Sequence, residues 1–108
     1  MSLKKILSQD QFSELAESES FLLVKHSLTC PVSQAAFEEY QQFAEENDVN
    51  TAYLTVQEAR PLSNYVAEKY SVKHESPQAI LFRNGEAVWN ASHWKITVKS
   101  LREAIQAQ

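Results

Sequence analysis

Hydrophobic positions along the chain alternate between short continuous runs and stretches with helical spacing. Residues 21–25, "FLLVK", form an apolar run that predicts a central strand buried on both faces. Pro31 opens a stretch with hydrophobic residues at helical spacing to about Glu46, and Pro61 opens another. Residues 51–57, "TAYLTVQ", are rich in β-branched residues and predict a second strand. The pattern therefore predicts strands and helices in alternation.

Both ends of the chain carry helix signals. Ser8 with Gln11 three residues later matches a capping box and predicts a helix within residues 9–18. Thr97 is placed to cap a last helix. The apolar face of that helix is formed by Val98, Leu101 and Ile105. A helix therefore begins and ends the predicted order of elements.

A hairpin signal precedes the last helix. Asn84-Gly85 separates two apolar runs, residues 78–82 and 86–91. Asn-Gly favours a two-residue hairpin turn, because a type I′ turn needs a positive φ twice. The predicted order is helix, strand, helix, strand, helix, strand, strand, helix. This order predicts an α/β fold with a central mixed sheet and helices on both faces.

Composition limits the classes of function. The chain has 108 residues, the size of one domain, and we expect one domain over residues 1–108. Its net charge of −4 makes nucleic acid an unsuitable partner. No apolar stretch reaches the ~18 residues of a membrane span, and residues 1–11 do not match a secretory signal. A single cysteine allows neither an internal disulfide nor a cysteine zinc cluster, which fits the reducing cytoplasm.

The only cysteine, Cys30, lies between a predicted strand and a predicted helix. A helix N-terminus stabilises a thiolate, the form that attacks disulfides. Ser33 takes the position where C-x-x-C proteins keep a second cysteine. A hydroxyl cannot attack a disulfide, so the spacing favours a one-cysteine cycle that needs an external thiol. Ser33 could bond the thiolate or cap the helix. Alternatively, Cys30 is a buried structural residue without chemistry.

Three stretches resemble the thioredoxin fold over roughly residues 10–108. They are "LTCPVS" after the first central strand, "EKYSVKHESP" and "PQAILFRNGEAV". The resemblance implies a thioredoxin-like fold with a mixed sheet of four to five strands. The loop Thr29-Cys30-Pro31-Val32-Ser33 is similar to the Thr-Cys-Pro-Ile-Ser loop of the monothiol bacilliredoxins. The buried acidic residue that thioredoxins carry on the first strand is missing here.

The resemblance to bacilliredoxins implies an activity. It is the removal of bacillithiol, a low-molecular-weight thiol, from mixed disulfides on proteins, with Cys30 as nucleophile. The implied partners are S-thiolated proteins and bacillithiol as co-substrate, with no bound cofactor or metal and no membrane. Two alternatives stay open. One is a glutaredoxin-like deglutathionylase. The other is a non-catalytic thioredoxin-fold module for binding or redox sensing.

A second part of the site is implied by Ser76-Pro77, which resembles the family's cis-proline dipeptide. Only proline adopts the cis form at low cost. The resemblance implies that the Ser76 backbone binds the substrate across from Cys30. Further candidates for holding a carboxylate of the small thiol, or stabilising the thiolate, are Lys25, His26, Lys73 and His74. For His93, Trp89 and Trp94 we expect packing roles.

Overall fold

The computed structural model of the chain describes residues 3–107. A five-stranded sheet has the order β1-β3-β2-β4-β5. The strands are β1 (Leu3–Lys5), β2 (Ser20–His26), β3 (Asn50–Thr55), β4 (Gln78–Arg83) and β5 (Glu86–Ser92). β3 pairs in parallel with β1 and β2, whereas β4 is antiparallel to both β2 and β5. The α/β fold and mixed sheet predicted from the sequence are confirmed.

Four α-helices cover the two faces of the sheet. They are α1 (Gln9–Ala16), α2 (Pro31–Glu46), α3 (Arg60–Tyr70) and α4 (Val98–Ala107), with a 3-10 turn at His93–Lys95. Helices α1 and α3 share one core with the sheet, and α2 and α4 share the other. Within the described residues, no helix is long and apolar enough to cross a membrane.

Alternate side chains of β2 enter the two cores. Phe21 and Leu23 pack with α1 and α3, whereas Leu22 and Val24 pack with α2 and α4. The strand is buried from Phe21 to His26, as expected for a central strand covered on both faces. Consecutive residues at its end therefore lie on opposite faces of the sheet.

The local signals in the sequence act as predicted. Ser8 and Gln11 form a complete capping box at the start of α1. The Thr97 Oγ1 atom accepts a hydrogen bond from the Ser100 N–H at 3.0 Å, so Thr97 caps α4. Asn84 and Gly85 both have positive φ, at 52° and 82°, as the hairpin turn requires.

The element boundaries differ from the predictions in a few places. Strand β1 was not predicted from the pattern, because a three-residue edge strand leaves too few positions for a period to appear. Helix α1 ends at Ala16, two residues early, and the Ser18 hydroxyl donates to the Leu15 carbonyl. Strand β3 ends at Thr55 because residues 56–58 turn toward α3.

Candidate active site

Cys30 lies where β2 is connected to α2, at the sheet edge formed by the carboxyl ends of β2 and β3. It is the N-cap residue of α2 and is partly exposed, and Pro31 is the first helical residue. Its side chain makes no capping hydrogen bond. The sulfur is therefore accessible at the N-terminus of a 16-residue helix, a position that favours anions. The predicted N-cap placement is confirmed.

Ser33 is completely buried beneath the start of α2. Its Oγ atom accepts a hydrogen bond from the Ser27 N–H at 2.8 Å and lies 2.9 Å from the His26 Nδ1 atom. Neither role considered from the sequence is seen, because within residues 3–107 the hydroxyl bonds neither Cys30 nor the N–H groups of α2. Ser33 instead ties the first turn of α2 to the end of β2.

His26 supports the same helix. Its ring stacks on Phe37 with centroids 4.4 Å apart and an interplanar angle of 14°. Burial lowers the pKa of His26, so the imidazole is neutral at neutral pH. Since the Ser33 oxygen already accepts from Ser27, its proton is available to Nδ1.

Gln57, in the turn that follows β3, binds the loop before Cys30. Its Oε1 atom accepts from the Leu28 N–H at 3.1 Å, and its Nε2 atom donates to the Ser27 and Thr29 hydroxyls at 3.0 and 3.5 Å. The sequence analysis missed this residue. A signal was present, because segments that follow two parallel strands meet at the same edge of a sheet.

Ser76 and Pro77 lie at this edge too, because Gln78 begins β4 opposite Lys25 of β2. The peptide bond between Ser76 and Pro77 is cis, as predicted. The Pro77 carbonyl accepts a hydrogen bond from the His93 N–H at 3.1 Å. The Ser76 Oγ atom is buried and has no hydrogen-bond partner in the described part of the chain.

A cleft adjoins this segment between the start of α2 and the 3-10 turn. It has a volume of about 250 Å³, and its lining includes Ala35, Glu38, His93 and Trp94. Trp94 is 71% exposed, so the packing role expected for it is wrong. Trp89, in contrast, packs against the core on the α2 side. Residues 3–107 contain no cluster of three side chains able to hold a metal ion.

The remaining basic candidates divide into two kinds. Lys73 is exposed, whereas Lys25 is fully buried and lies 3.2 Å from the ring of His74. Within the part of the chain that is described, no hydrogen bond joins Lys25 or His74 to the Cys30 side chain. Val32 completes the predicted loop as the second residue of α2 and is partly buried. The structure therefore gathers the loop, Ser76 and Pro77 at one edge, with Lys25 and His74 behind them.

Comparison with known proteins gives consistent results. The family model described as monothiol bacilliredoxin BrxC matches residues 2–101. A solved structure of a candidate oxidoreductase with a thioredoxin fold is 46% identical and superposes with a TM-score of 0.91, covering 95% of this chain and 93% of that one. A mutant thioredoxin from Halobacterium salinarum NRC-1, 20% identical, has a TM-score of 0.81 over 98% of this chain and 89% of its own.

Thioredoxin f from spinach chloroplast is also 20% identical, with a TM-score of 0.77 over 97% of this chain and 91% of its own. At this identity the two thioredoxins support the fold alone. The family model and the 46% identical structure support a thiol oxidoreductase. The partly exposed Cys30, with a buried serine at the position of a resolving cysteine, agrees with the one-cysteine pattern. The chain belongs to the monothiol bacilliredoxin BrxC family, which has the thioredoxin fold.

Proposed function

We propose that the protein removes bacillithiol from mixed disulfides on other proteins, with Cys30 as the nucleophile. The observation that carries the proposal is the arrangement at the start of α2. The only cysteine is partly exposed at the helix N-terminus, and the position three residues later holds a buried serine whose hydroxyl is hydrogen-bonded. Family membership supports the choice of bacillithiol over other small thiols.

The cycle has two exchange steps. The Cys30 thiolate attacks the bacillithiol sulfur, the S–S bond of the mixed disulfide breaks, and the protein thiolate leaves and takes a proton from solvent. Cys30 then carries bacillithiol. A second small thiolate attacks this adduct, so Cys30 is released and a disulfide of the two small thiols forms. Because Ser33 has no thiol, the second step requires this external reductant. We propose that the reaction takes place in the cytoplasm, where small thiols are reduced.

Intact mass spectrometry tests the proposal. Wild-type protein given a bacillithiolated substrate, without other thiols, should gain the mass of one bacillithiol while the substrate is reduced in equal amount. Cys30→Ser should leave the substrate unchanged, because a hydroxyl is a poor nucleophile at neutral pH. Ser33→Cys should lose two hydrogens instead, because the new thiol can expel bacillithiol and form an internal disulfide.

The alternatives are distinguishable in the same experiment. Equal or faster transfer from a glutathionylated substrate would indicate a deglutathionylase. A folded wild-type protein that never acquires an adduct would contradict dethiolation by Cys30. A binding or redox-sensing module would then replace the proposal.

A further inference from the structure

Lys25 is a buried cation on the strand that leads to Cys30. Its side chain is 0% exposed and lies on the α3 side of the sheet. Its Nζ atom donates a hydrogen bond to the Ser63 carbonyl oxygen of α3 at 3.0 Å and lies 3.2 Å from the His74 Nδ1 atom. Fully buried lysines are rare unless they are paired. This lysine therefore has a structural or functional reason to be there.

The pairing of Lys25 is unusual because it lacks a carboxylate. Among residues 3–107, no carboxylate oxygen lies within 4 Å of the Lys25 amine. Burial lowers the pKa of Lys25 to about 8, so the ammonium form still predominates at pH 7. Burial and the charges of Lys25 and Arg60 lower the pKa of His74, which leaves the imidazole neutral. A neutral imidazole can accept a proton at Nδ1, so the ammonium donates to His74.

His74 belongs to the segment that carries Ser76 and Pro77. Gln78 fixes the backbone of this segment, since its Nε2 atom donates to the Lys73 carbonyl at 2.9 Å and its Oε1 atom accepts from the Glu75 N–H at 3.3 Å. Lys25 supplies the contact of His74 to β2, and the Ser63 hydroxyl of α3 lies at the same distance, 3.2 Å, from the His74 Nδ1 atom. Lys25 therefore connects the strand leading to Cys30 with the segment expected to bind the substrate backbone.

We propose that Lys25 is a positioning residue, whose buried ammonium group holds His74 and thereby fixes the Ser76-Pro77 segment for substrate docking beside Cys30. The inference rests on the proposed function. The proposed role concerns substrate binding and not thiol reactivity, because the hydrogen bonds of Lys25 go to Ser63 and His74 and not to the thiol. Loss of the ammonium group should weaken substrate binding and leave the intrinsic reactivity of Cys30 unchanged.

Lys25→Met is the main test, because methionine is a flexible apolar residue that fills core space without an ammonium group. We expect KM for a bacillithiolated protein to rise about tenfold, the loss of one hydrogen bond to a charged group. The rate of Cys30 alkylation by iodoacetamide should stay within about twofold, since this small reagent does not need the docking segment. Lys99→Met, at an exposed lysine of α4 that has no role in the site, is the control and should change neither value.

Variants of His74 test the other end of the contact without changing the core. His74→Asn places an amide oxygen near the position of Nδ1 and should keep KM within about threefold of wild type. His74→Leu removes the acceptor and should reproduce the rise in KM. These two variants keep the test decisive even if Lys25→Met does not fold.

Nuclear magnetic resonance of the His74 ring gives an independent measurement. The charged groups acting on His74 are Lys25 and Arg60, which lower its pKa, and Glu75, which raises it. Lys25→Met should therefore raise the pKa of His74, whereas Lys99→Met should not. An unchanged KM and an unchanged His74 titration in folded Lys25→Met would overturn the positioning role alone. Absence of turnover in wild type would overturn both proposals.

Discussion

Lys25 and His26 are neighbours on β2, yet they support the two halves of the site in different ways. His26 points to the α2 side, where it is neutral and bonded to Ser33. Lys25 points to the α3 side, where its amine contacts Ser63 and His74 but no carboxylate of the described residues. His26 binds the helix that begins after Cys30, and Lys25 binds the segment that carries Pro77. The nucleophile and the docking segment can therefore be perturbed separately.

The largest expected effect is the pH dependence of the free energy of unfolding that the buried Lys25 causes. The pKa of Lys25 is about 8 in the folded protein, against 10.5 when unfolded. Between these values the unfolded chain binds more protons, so stability rises with pH, by up to about 3 kcal/mol. Urea unfolding of wild type and Lys25→Met from pH 8 to 10.5 measures this. The wild type should gain stability relative to the variant across the window, and parallel curves would contradict the lowered pKa of Lys25 in the folded protein.

On the opposite face, His26→Leu should cost about 2 kcal/mol, because the buried Ser33 hydroxyl loses one of its two partners and the stacking on Phe37 is lost. Urea unfolding at pH 7 gives the value. His26→Asn is the control, because its amide oxygen can take the place of Nδ1 and should recover part of the loss. Equal stability of the leucine variant and wild type would show that this contact contributes nothing.

Ser33→Ala should be milder, costing about 1 kcal/mol, because the Ser27 N–H and the His26 Nδ1 atom lose a partner but the His26 ring keeps its stacking on Phe37. The variant should still form the Cys30 adduct, since the hydroxyl takes no part in the exchange. Calorimetric melting and intact mass measure the two properties together. A variant that is stable but forms no adduct would assign Ser33 a chemical role.

The smallest expected effect is the loss of stability in acid. Burial lowers the pKa of both His26 and His74 in the folded protein. Their contribution is complete above about pH 6.5 and is lost as the pH falls through the lowered values, because the unfolded chain takes up protons first. The melting temperature should fall between pH 7 and 5, and less steeply in His26→Asn. The same slope in both proteins would exclude His26 as a cause.

Local signals in the sequence were enough to predict most of the fold. The capping box at Ser8, the Asn84-Gly85 turn and the buried run that became β2 each depend on residues close together in the chain. The position of Cys30 was predictable for the same reason, since a strand precedes it and Pro31 begins the helix. Edge strand β1 was too short to leave a pattern.

The surroundings of the site depend on contacts that are distant in sequence. Lys25 was a candidate, but its partners Ser63 and His74 are 38 and 49 positions away, so its burial could not be predicted. Gln57 reaches the Cys30 loop across 29 positions. Only packing of the elements brings these groups together, and one sequence contains no pairing information for them.

The exposed indole of Trp94 is an intrinsic fluorescence probe. It borders the cleft beside the start of α2, and the adjacent His93 is hydrogen-bonded to Pro77. A ligand that settles against this cleft changes the polarity around the indole and hence its fluorescence, whereas Trp89 is packed against the core. We expect a substrate that reaches this cleft to change the Trp94 fluorescence, which can be recorded without a label on the Cys30→Ser protein that cannot react.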